Sequence, residues 1–311
     1  MKINVVPIID IPKVYLERLQ KLGEVTVFST FFGDPDMEKK VKGAEILVLQ
    51  PRLSVDIVPF LDKCKFIAIM ATGYDALNVV VAKEKGIKIA NVRDWCGDAV
   101  AEFIIGLCFA LSKELLHGIS VLREEKWFNP VEFGVGGISS KTIGIFGFGN
   151  IGQKVFRLAK GLNMKVICCT KNPEKYKENF PEIEFVEFDE LLKRSDFLSL
   201  CAPVTPETKE IFNMDAFKKM KKTSFFINTA RGALVKENDL ADALNRGIIA
   251  GAGVDVFQKE PPSADHVLLH AKNCICSPHV SWATEQSFNN LWEEVVSNVE
   301  AFCRREERNI I

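Results

Sequence analysis

The chain has 311 residues, enough at ~150 residues per domain for about two domains with full hydrophobic cores. Apolar residues make up 47% and charged residues 26%, a balance that excludes long disordered or fibrous segments. Forty Lys and Arg against 41 Asp and Glu give a formal net charge of -1, and no basic block is present. We therefore expect no nucleic-acid partner.

The first residues and the cysteines indicate a cytoplasmic protein. The opening MKINVVPIID is apolar too briefly for a signal peptide, and no run approaches the ~18 apolar residues of a membrane span. The nine cysteines are an odd number at scattered spacings, without a C-x-x-C motif. This pattern predicts reduced thiols rather than a metal site or a disulfide framework. We expect neither a membrane partner nor a bound metal.

Short β-branched runs alternate with amphipathic stretches through the first ninety residues. The runs are INVVPII, EVTVF, EILVL, KFIAIM and IKIAN. The stretches between them are VYLERLQKLG, MEKKVKG, SVDIVPFLDK and LNVVVAKEKG. Such an alternation predicts a parallel sheet with helices on its faces.

One long helix is predicted over 98–119, where apolar residues recur at helical spacing. It is apolar nearly all round at its start, which predicts burial at a domain or subunit contact. His117 then lies near the C-terminal end of this helix, where an imidazole complements the helix dipole.

A second series of strand-like runs begins after a glycine-rich patch at 133–140. The runs are TIGIF, MKVICC, IEFVEF, DFLSLCA, SFFINTA, IIAGAGVDVF and NCICSPHV. They predict a second parallel sheet with helices between the strands. The tail over 284–305 predicts a single helix that packs back on the first domain.

Gly147, Gly149 and Gly152 form a G-x-G-x-x-G pattern directly after the strand TIGIF and before a helix. The first glycine permits a tight turn, the second lets the backbone approach a pyrophosphate, and the third lets helix and strand pack closely. The N-terminus of the helix then faces the phosphates. The pattern predicts a dinucleotide site.

The end of the next strand bears on the choice between NAD and NADP. An NAD site usually carries Asp or Glu there, which accepts a hydrogen bond from the ribose 2′-hydroxyl. This chain has Thr170 followed by Lys171 instead. Because a hydroxyl and an ammonium bind a 2′-phosphate that a carboxylate repels, we expect NADP rather than NAD. The alternative is that Lys171 is an ordinary solvated lysine and that the site binds NAD weakly or without discrimination.

Three motifs, FFINTARG, GAGVDVFQKEPP and CSPHVSWAT, each end a predicted strand and carry Arg231, Glu260 and His279. Ligands bind at the carboxyl ends of such strands, so we expect the three side chains to converge. Together with the glycine pattern, these motifs resemble the D-isomer-specific 2-hydroxyacid dehydrogenase family over nearly the whole chain. ATGY at 71–74 and SPHVSWAT are most similar to its glycerate dehydrogenases and its hydroxypyruvate or glyoxylate reductases.

The resemblance implies an α/β protein of two flavodoxin- or Rossmann-like parallel-sheet domains around a cleft. Residues 1–98 with 285–311 would form the substrate-binding (catalytic) domain, and 99–284 the Rossmann NAD(P)-binding domain. It also implies a homodimer built on the nucleotide domain. The expected activity is reduction of a small 2-keto acid, hydroxypyruvate or glyoxylate, to the D-2-hydroxy acid by hydride transfer from NAD(P)H.

The chemistry assigns roles to the three charged side chains. Reduction of a keto acid needs a proton donor for the carbonyl oxygen, and His279 is the natural one. A carboxylate on its other ring nitrogen fixes the tautomer and stabilises the protonated ring, and Glu260 is the candidate by its match to the family's Glu. The forked guanidinium of Arg231 can pair with the substrate carboxylate and carbonyl together.

The resemblance implies further contacts. The substrate carboxylate would lie on the backbone amides around Thr72, Gly73 and Tyr74, and Trp282 is either a wall of the substrate pocket or core packing. Arg52 could reach the substrate, or be an exposed loop arginine. The predicted cofactor contacts are Val100, Gly147, Gly149, Asn150, Ile151, Gly152, Thr170, Lys171, Ala202, Pro203, Thr229, Ala230, Arg231, Asp255 and His279.

Other interpretations stay open. The substrate could be pyruvate or a bulkier 2-keto acid. The pocket could differ from that of related sequences, because Trp95, Cys96 and Ala99 stand where those usually carry Tyr and hydroxyl residues. A dinucleotide-sensing scaffold related to transcriptional corepressors is a non-enzymatic alternative, which the intact Arg231, Glu260 and His279 disfavour. His266 and His270 lie four residues apart, but no third ligand is evident, so we expect a surface segment rather than a metal site.

Overall fold

The structure is a computed structural model that describes residues 1–30, 34–50, 56–74, 76–124, 127 and 136–311. By the contacts among these residues, the chain divides into two compact units. The first unit is Met1–Cys96 together with Ala283–Ile311, and the second is Gly97–Trp282. Arg52 lies outside the described residues, so both alternatives for it, reach to the substrate and an exposed loop arginine, stay open.

Strands and helices alternate along the described chain. The strands are β1 (Lys2–Val6), β2 (Glu24–Val27), β3 (Ile46–Leu49), β4 (Phe66–Ile69), β5 (Lys88–Ala90), β6 (Thr142–Phe146), β7 (Lys165–Cys169), β8 (Glu184–Phe185), β9 (Phe197–Leu200), β10 (Phe225–Asn228), β11 (Gly251–Val254) and β12 (Cys274–Cys276). The helices are α1 (Lys13–Gln20), α2 (Met37–Val41), α3 (Val79–Glu84), α4 (Gly97–Ser112), α5 (Leu115–Arg123), α6 (Asn150–Gly161), α7 (Glu174–Lys177), α8 (Phe188–Arg194), α9 (Met214–Lys219), α10 (Glu237–Asn245) and α11 (Glu285–Cys303).

Each unit is built on a parallel sheet, so the prediction of two parallel-sheet α/β domains is confirmed. Within the described residues, the first unit has a five-stranded sheet in the order β2-β1-β3-β4-β5, the flavodoxin-like order. The second unit has a seven-stranded sheet in the order β12-β11-β10-β9-β6-β7-β8. Read from β8, this is the dinucleotide-binding order extended by one strand. The strand order therefore reverses between β6 and β9, and that is where such sheets bind ligands.

The C-terminal helix belongs to the first unit. Its contact with α1 is held by Arg18, whose guanidinium donates to Glu293 at 2.6 Å and to Glu300 at 2.9 and 3.0 Å. On the sheet side, the ring of Phe302 stacks on that of Phe66 with 4.4 Å between centroids. The last helix thus completes the core of the unit that the first ninety residues begin.

The single helix expected over 98–119 is wrong. Ser112 ends α4, and Glu114 takes a left-handed backbone conformation, φ 47° and ψ 40°, so the i to i−4 hydrogen-bond ladder cannot continue. His117 therefore lies in the first turn of α5, not at a helix C-terminus, and cannot complement a dipole there. Helix α4 is largely buried, whereas α5 buries none of its side chains within Leu115–Arg123.

The expected amphipathic element over 54–63 is also shorter than the pattern suggested. Among its described residues the only helical turn is a 3-10 turn at Val58–Phe60, which contains Pro59. Proline has no backbone N–H to donate, which opposes continuation of the helix. None of the helices among the described residues combines the length and the apolar composition needed to span a bilayer.

Candidate active site

The glycine pattern lies at the turn from β6 into α6. Gly147 has φ +95°, and a Cβ added there would lie 2.8 Å from the backbone of Ala202, at the end of β9. A Cβ at Gly152 would lie 2.4 Å from the carbonyl oxygen of Gly147. A Cβ at Gly149 would meet no protein atom within 4 Å. Two glycines are thus required by the protein's own packing, whereas Gly149 leaves open space in front of its backbone.

Helix α6 begins beside that open space. Asn150 is exposed and Ile151 is half-buried, and both lie in its first turn, where backbone N–H groups have no partner within the helix. Phe148, within the turn, packs against four aromatic rings. Its ring makes edge contacts at centroid distances of 5.0 to 6.2 Å with Phe156, Tyr176, Phe180 and Phe185. The open side of Gly149 and this helix N-terminus fit the pyrophosphate of a dinucleotide.

Thr170 and Lys171 follow β7 immediately, at the carboxyl edge of the sheet. Thr170 is half-buried and Lys171 is exposed. A hydrogen bond from Thr205 and, more weakly, the charge of Lys171 lower the pKa of Glu207. The Lys171 ammonium therefore lies near the loop at 201–209, which carries the predicted cofactor residues Ala202 and Pro203.

His279 and Glu260 form a hydrogen-bonded pair. Nδ1 of His279 lies 2.7 Å from Oε2 of Glu260, and both side chains are about one-quarter exposed. The other carboxylate oxygen of Glu260 accepts from the amide of Phe257 at 3.1 Å. An ionised carboxylate only accepts hydrogen bonds, so Nδ1 carries the proton that faces Glu260, and Nε2 is the ring atom that does not face this carboxylate.

The loop that carries His279 is held by a buried carboxylate. His279 has φ +56°, a backbone conformation that residues other than glycine seldom adopt. Asp255, at 0% exposure, accepts hydrogen bonds from Ser277 Oγ at 2.6 Å, Val280 N at 3.0 Å and Ser281 N at 2.9 Å. Asp255 thus holds the backbone that follows His279 and the side chain of Ser277 before it, a role that the motif alone did not reveal.

Trp282 also acts on this loop. Its indole Nε1 donates to the carbonyl oxygen of His279 at 2.8 Å, and the side chain is half-buried. The sequence left open a pocket wall or core packing, and neither alternative included this hydrogen bond. Together with Asp255, it stabilises the unusual backbone of His279.

Arg231 follows β10 and lies directly against the loop of Glu260. A Cβ added at its neighbour Gly232 would lie 2.0 Å from the carbonyl carbon of Phe257 and 2.3 Å from the nitrogen of Gln258. Arg231 Nη1 donates to Ala230 O at 2.8 Å, and its own carbonyl accepts from Asn228 Nδ2 at 2.9 Å. The backbone at Gly232 thus contacts the loop of Glu260, and Glu260 is hydrogen-bonded to His279. Convergence of the Arg231 side chain with this pair stays a prediction.

Thr229, between Asn228 and Ala230, is buried, and its Oγ1 has no hydrogen-bond partner within the described protein. A buried hydroxyl without a partner is costly unless a ligand or water satisfies it, which fits its predicted place beside a cofactor. Val100, also expected near the cofactor, lies in α4 at 4% exposure.

In the first unit, the loop after β4 carries Thr72, Gly73 and Tyr74. Side chains from the segment after β5 fix this loop: Trp95 Nε1 donates to Thr72 Oγ1 at 3.1 Å, and Asn91 Nδ2 donates to Thr72 O at 2.8 Å. Thr72 is exposed and Tyr74 is 40% exposed, so both are accessible to a small molecule. Trp95, which departs from the usual residue of related sequences, is thus bound to the predicted substrate loop.

All nine cysteines lie within the described residues and are free thiols. Burial raises the pKa of Cys64 to about 11 and that of Cys201 to about 12, so neither ionises near neutral pH. In the part of the chain that the structure describes, no group of three or more His, Cys, Asp or Glu side chains could hold a metal ion.

Comparison with known proteins shows which family this chain is similar to. Residues 105–281 match the family model described as "D-isomer specific 2-hydroxyacid dehydrogenase, NAD binding domain". The chain is 39% identical over 305 residues to a hydroxypyruvate reductase of Blautia hydrogenotrophica, covering 94% of this chain and 93% of that protein.

The chain belongs to the D-isomer-specific 2-hydroxyacid dehydrogenase family. A glycerate dehydrogenase of Methylorubrum extorquens is 34% identical over 296 residues, covering 93% of this dehydrogenase and 92% of that protein. The structure is similar to an acyclic imino acid reductase (Bsp5) in complex with NADPH and D-Arg, with a TM-score of 0.88, 26% identity and complete coverage of both chains.

The dehydrogenase is therefore an oxidoreductase that acts on the CH–OH group of 2-hydroxy acids with a nicotinamide dinucleotide. The bound dinucleotide supplies or accepts the hydride. The open face of Gly149, the N-terminus of α6 and the unsatisfied hydroxyl of Thr229 are the features of this chain that fit such a cofactor.

Proposed function

We propose that this dehydrogenase reduces a small 2-keto acid, hydroxypyruvate or glyoxylate, to the corresponding 2-hydroxy acid, with the D configuration where the product is chiral. The observation that carries the mechanism is the 2.7 Å hydrogen bond between His279 and Glu260. The substrate class is supported by relatives named hydroxypyruvate reductase and glycerate dehydrogenase, which align over more than nine-tenths of the chain.

In the proposed reaction, C2 of the keto acid gains a hydride and its carbonyl oxygen gains a proton. His279 donates that proton from Nε2, and the carboxylate of Glu260 stabilises the imidazolium before the transfer. The Arg231 guanidinium pairs with the substrate carboxylate and polarises the carbonyl. In the oxidation direction, neutral His279 accepts the hydroxyl proton.

The remaining site assignments are part of the same proposal. The backbone at Thr72–Tyr74 would bind the substrate carboxylate, with Thr72 fixed by the indole of Trp95. Asp255 and Trp282 hold the His279 loop in this structure, and their contacts with cofactor and substrate are proposed beside that role.

We also propose NADPH as the preferred reductant. The support is the hydroxyl and ammonium of Thr170 and Lys171 at the end of β7, in place of the carboxylate that favours NADH. The matching family model describes an NAD-binding domain, so the preference rests on these two residues alone.

A cytoplasmic homodimer completes the proposal. Helix α5 exposes Leu115, Leu116, Ile119 and Leu122 to between 47 and 58%, and a contiguous apolar face of this kind marks an interaction surface. Gel filtration with light scattering tests it. Ile119→Glu should yield monomers, and a wild-type protein that runs as a monomer would contradict it.

Initial rates at the nicotinamide absorbance band test the substrates and the reductant together. NADPH and NADH are each assayed with hydroxypyruvate, glyoxylate and pyruvate. Fastest turnover of hydroxypyruvate or glyoxylate with NADPH is the expected result. Preference for NADH would overturn the 2′-phosphate argument alone, preference for pyruvate would overturn the substrate, and cofactor binding without turnover of any pair would overturn both substrates and favour a bulkier keto acid or a sensing role.

A further inference from the structure

A second imidazole–carboxylate pair lies beside the first. Nε2 of His266 lies 3.1 Å from Oε2 of Glu237, and the side chains are only 16% and 12% exposed. This pair is more buried than His279 and Glu260, which are 25% and 24% exposed. The segment around His266 is largely exposed, as expected, but the His266 ring itself is turned inward onto α10.

The surroundings of His266 fix its orientation. Nδ1 accepts from the amide of Leu268 at 3.4 Å, so Nε2 carries the proton that faces Glu237. The ring packs edge-on against Phe257, with 5.2 Å between centroids and an interplanar angle of 85°. The imidazole is thus held by a backbone amide, a carboxylate and an aromatic ring.

Glu237 connects this pair to the loop of Glu260. Its second oxygen, Oε1, accepts from the amide of Gln258 at 2.8 Å. The Gln258 side chain is also held, because its Nε2 donates to Val235 O at 2.7 Å and to Glu210 Oε1 at 3.1 Å.

Glu260 stands two residues after this clamped position. The preceding amide, that of Phe257, donates to Glu260 itself. The Phe257–Gln258 peptide also lies against the backbone of Gly232, so close packing and a hydrogen bond both restrain the loop just before Glu260.

We propose that Glu237 and His266 are positioning residues for the proton-donating pair. They hold the segment from Phe257 to Glu260 in the one arrangement in which Glu260 faces Nδ1 of His279. The inference deepens the proposed function and rests on the role of His279 in it. When Glu237 or His266 is replaced, Glu260 samples other orientations. The imidazolium of His279 is then less stabilised, and a smaller fraction of the enzyme can donate a proton.

The position of Glu237 in its own helix provides a matched control. It is the first residue of α10, where any carboxylate stabilises the helix dipole. Asp239 lies in the same turn, but its carboxylate accepts from Met214 N, away from the loop of Glu260. His270 is the control for His266, since it ends the 3-10 turn Val267–His270 that His266 precedes, and it is exposed, with Nε2 on Ala264 O.

The first experiment measures kcat and KM of keto-acid reduction across pH for Glu237→Ala, Glu237→Gln and His266→Gln, with Asp239→Asn and His270→Gln as controls. Glu237→Ala should lower kcat ~10-fold with little change in KM of the keto acid. The pH at which kcat falls on the alkaline side should drop by ~0.5 unit or more, because reduction requires the protonated imidazole. Glu237→Gln keeps an acceptor for Gln258 N and should restore part of the rate, and both controls should match the wild type.

A double-mutant cycle separates positioning from general stability. In a Glu260→Gln background, Glu237→Ala should cause no further loss of kcat, because the residue it orients no longer carries a charge. Independent, multiplicative losses would overturn the proposal. So would variants that lower Tm but keep the wild-type kcat and pH profile. His279→Ala distinguishes the proposed function from this inference. If His279→Ala keeps full turnover, both the proton-donor role of His279 and the positioning role of Glu237 are wrong. If His279→Ala is inactive and Glu237→Ala keeps full turnover, only the positioning role is wrong.

Discussion

His279 Nδ1 and Glu260 Oε2 lie 2.7 Å apart, although the residues belong to loops that follow different strands. His279→Ala should lower kcat for reduction by ~10² or more, because general acid catalysis contributes that much. Glu260→Gln should retain more activity than His279→Ala and lose it at lower pH than the wild type, since the imidazolium loses its anionic partner. Steady-state rates between pH 5 and 9 check both variants, and near-normal turnover of His279→Ala would show that another group donates the proton.

Arg231→Ala should lower kcat and raise KM for the keto acid, each by ~10-fold or more. The reason is that its forked, charged donor is proposed to bind the substrate in both the ground state and the transition state. Arg231→Lys should recover only part, because an ammonium is a point charge without the fork. Arg246→Ala, which removes an exposed arginine paired with Asp242 on α10, is the matched control. A change in KM without a change in kcat would argue against polarisation of the carbonyl.

Substitutions in the G-x-G-x-x-G pattern should separate effects on cofactor binding from effects on stability. Gly149→Ala adds a methyl into space that the protein leaves open, at φ −77°, so Tm should stay near the wild-type value while KM for the cofactor rises. Gly152→Ala places a methyl against the Gly147 carbonyl and should lower Tm by ~4 °C or more. Thermal melts and cofactor titrations on both variants check this. Equal effects on Tm would refute the assignment of Gly149 to ligand space.

Lys171→Ala should raise KM for NADPH by ~10-fold or more and leave KM for NADH nearly unchanged, because a charge-assisted hydrogen bond to the 2′-phosphate is lost. Lys175→Ala is the control, since that ammonium lies 5.5 Å over the Tyr176 ring on the same segment. If KM rises equally for NADPH and NADH in Lys171→Ala, Lys171 does not bind the 2′-phosphate.

Asp34 should make the first unit sensitive to acid. Hydrogen bonds, chiefly from Lys40, lower the pKa of this 2% exposed carboxyl to about 2, below the ~3.9 of an unfolded chain. A lowered folded-state pKa contributes stability above pH ~4 that is lost as pH falls toward 2. Asp34→Asn should therefore lower Tm at pH 7 and flatten its decline below pH 4, whereas Asp36→Asn, an exposed neighbour, should not. Parallel Tm-against-pH curves for wild type and Asp34→Asn would contradict this.

Much of the fold could be predicted because its signals are local. The period-2 and helical patterns and the glycines between β6 and α6 depend on neighbouring residues, so the two parallel sheets could be inferred from sequence. The helix break at Glu114 could not, since the apolar pattern runs through it without a glycine or proline there.

The sequence by itself determined the order of the strands, the glycine turn and, through the motifs, the residues worth testing. Only the tertiary structure decided which partners hold them: Asp255 on the backbone around His279, Trp282 on its carbonyl, and Glu237 on the amide of Gln258. Partners separated by 21 or 25 residues along the chain leave no periodic signal. They meet because parallel strands bring their carboxyl-end loops to one edge of the sheet, where packing decides which polar groups pair.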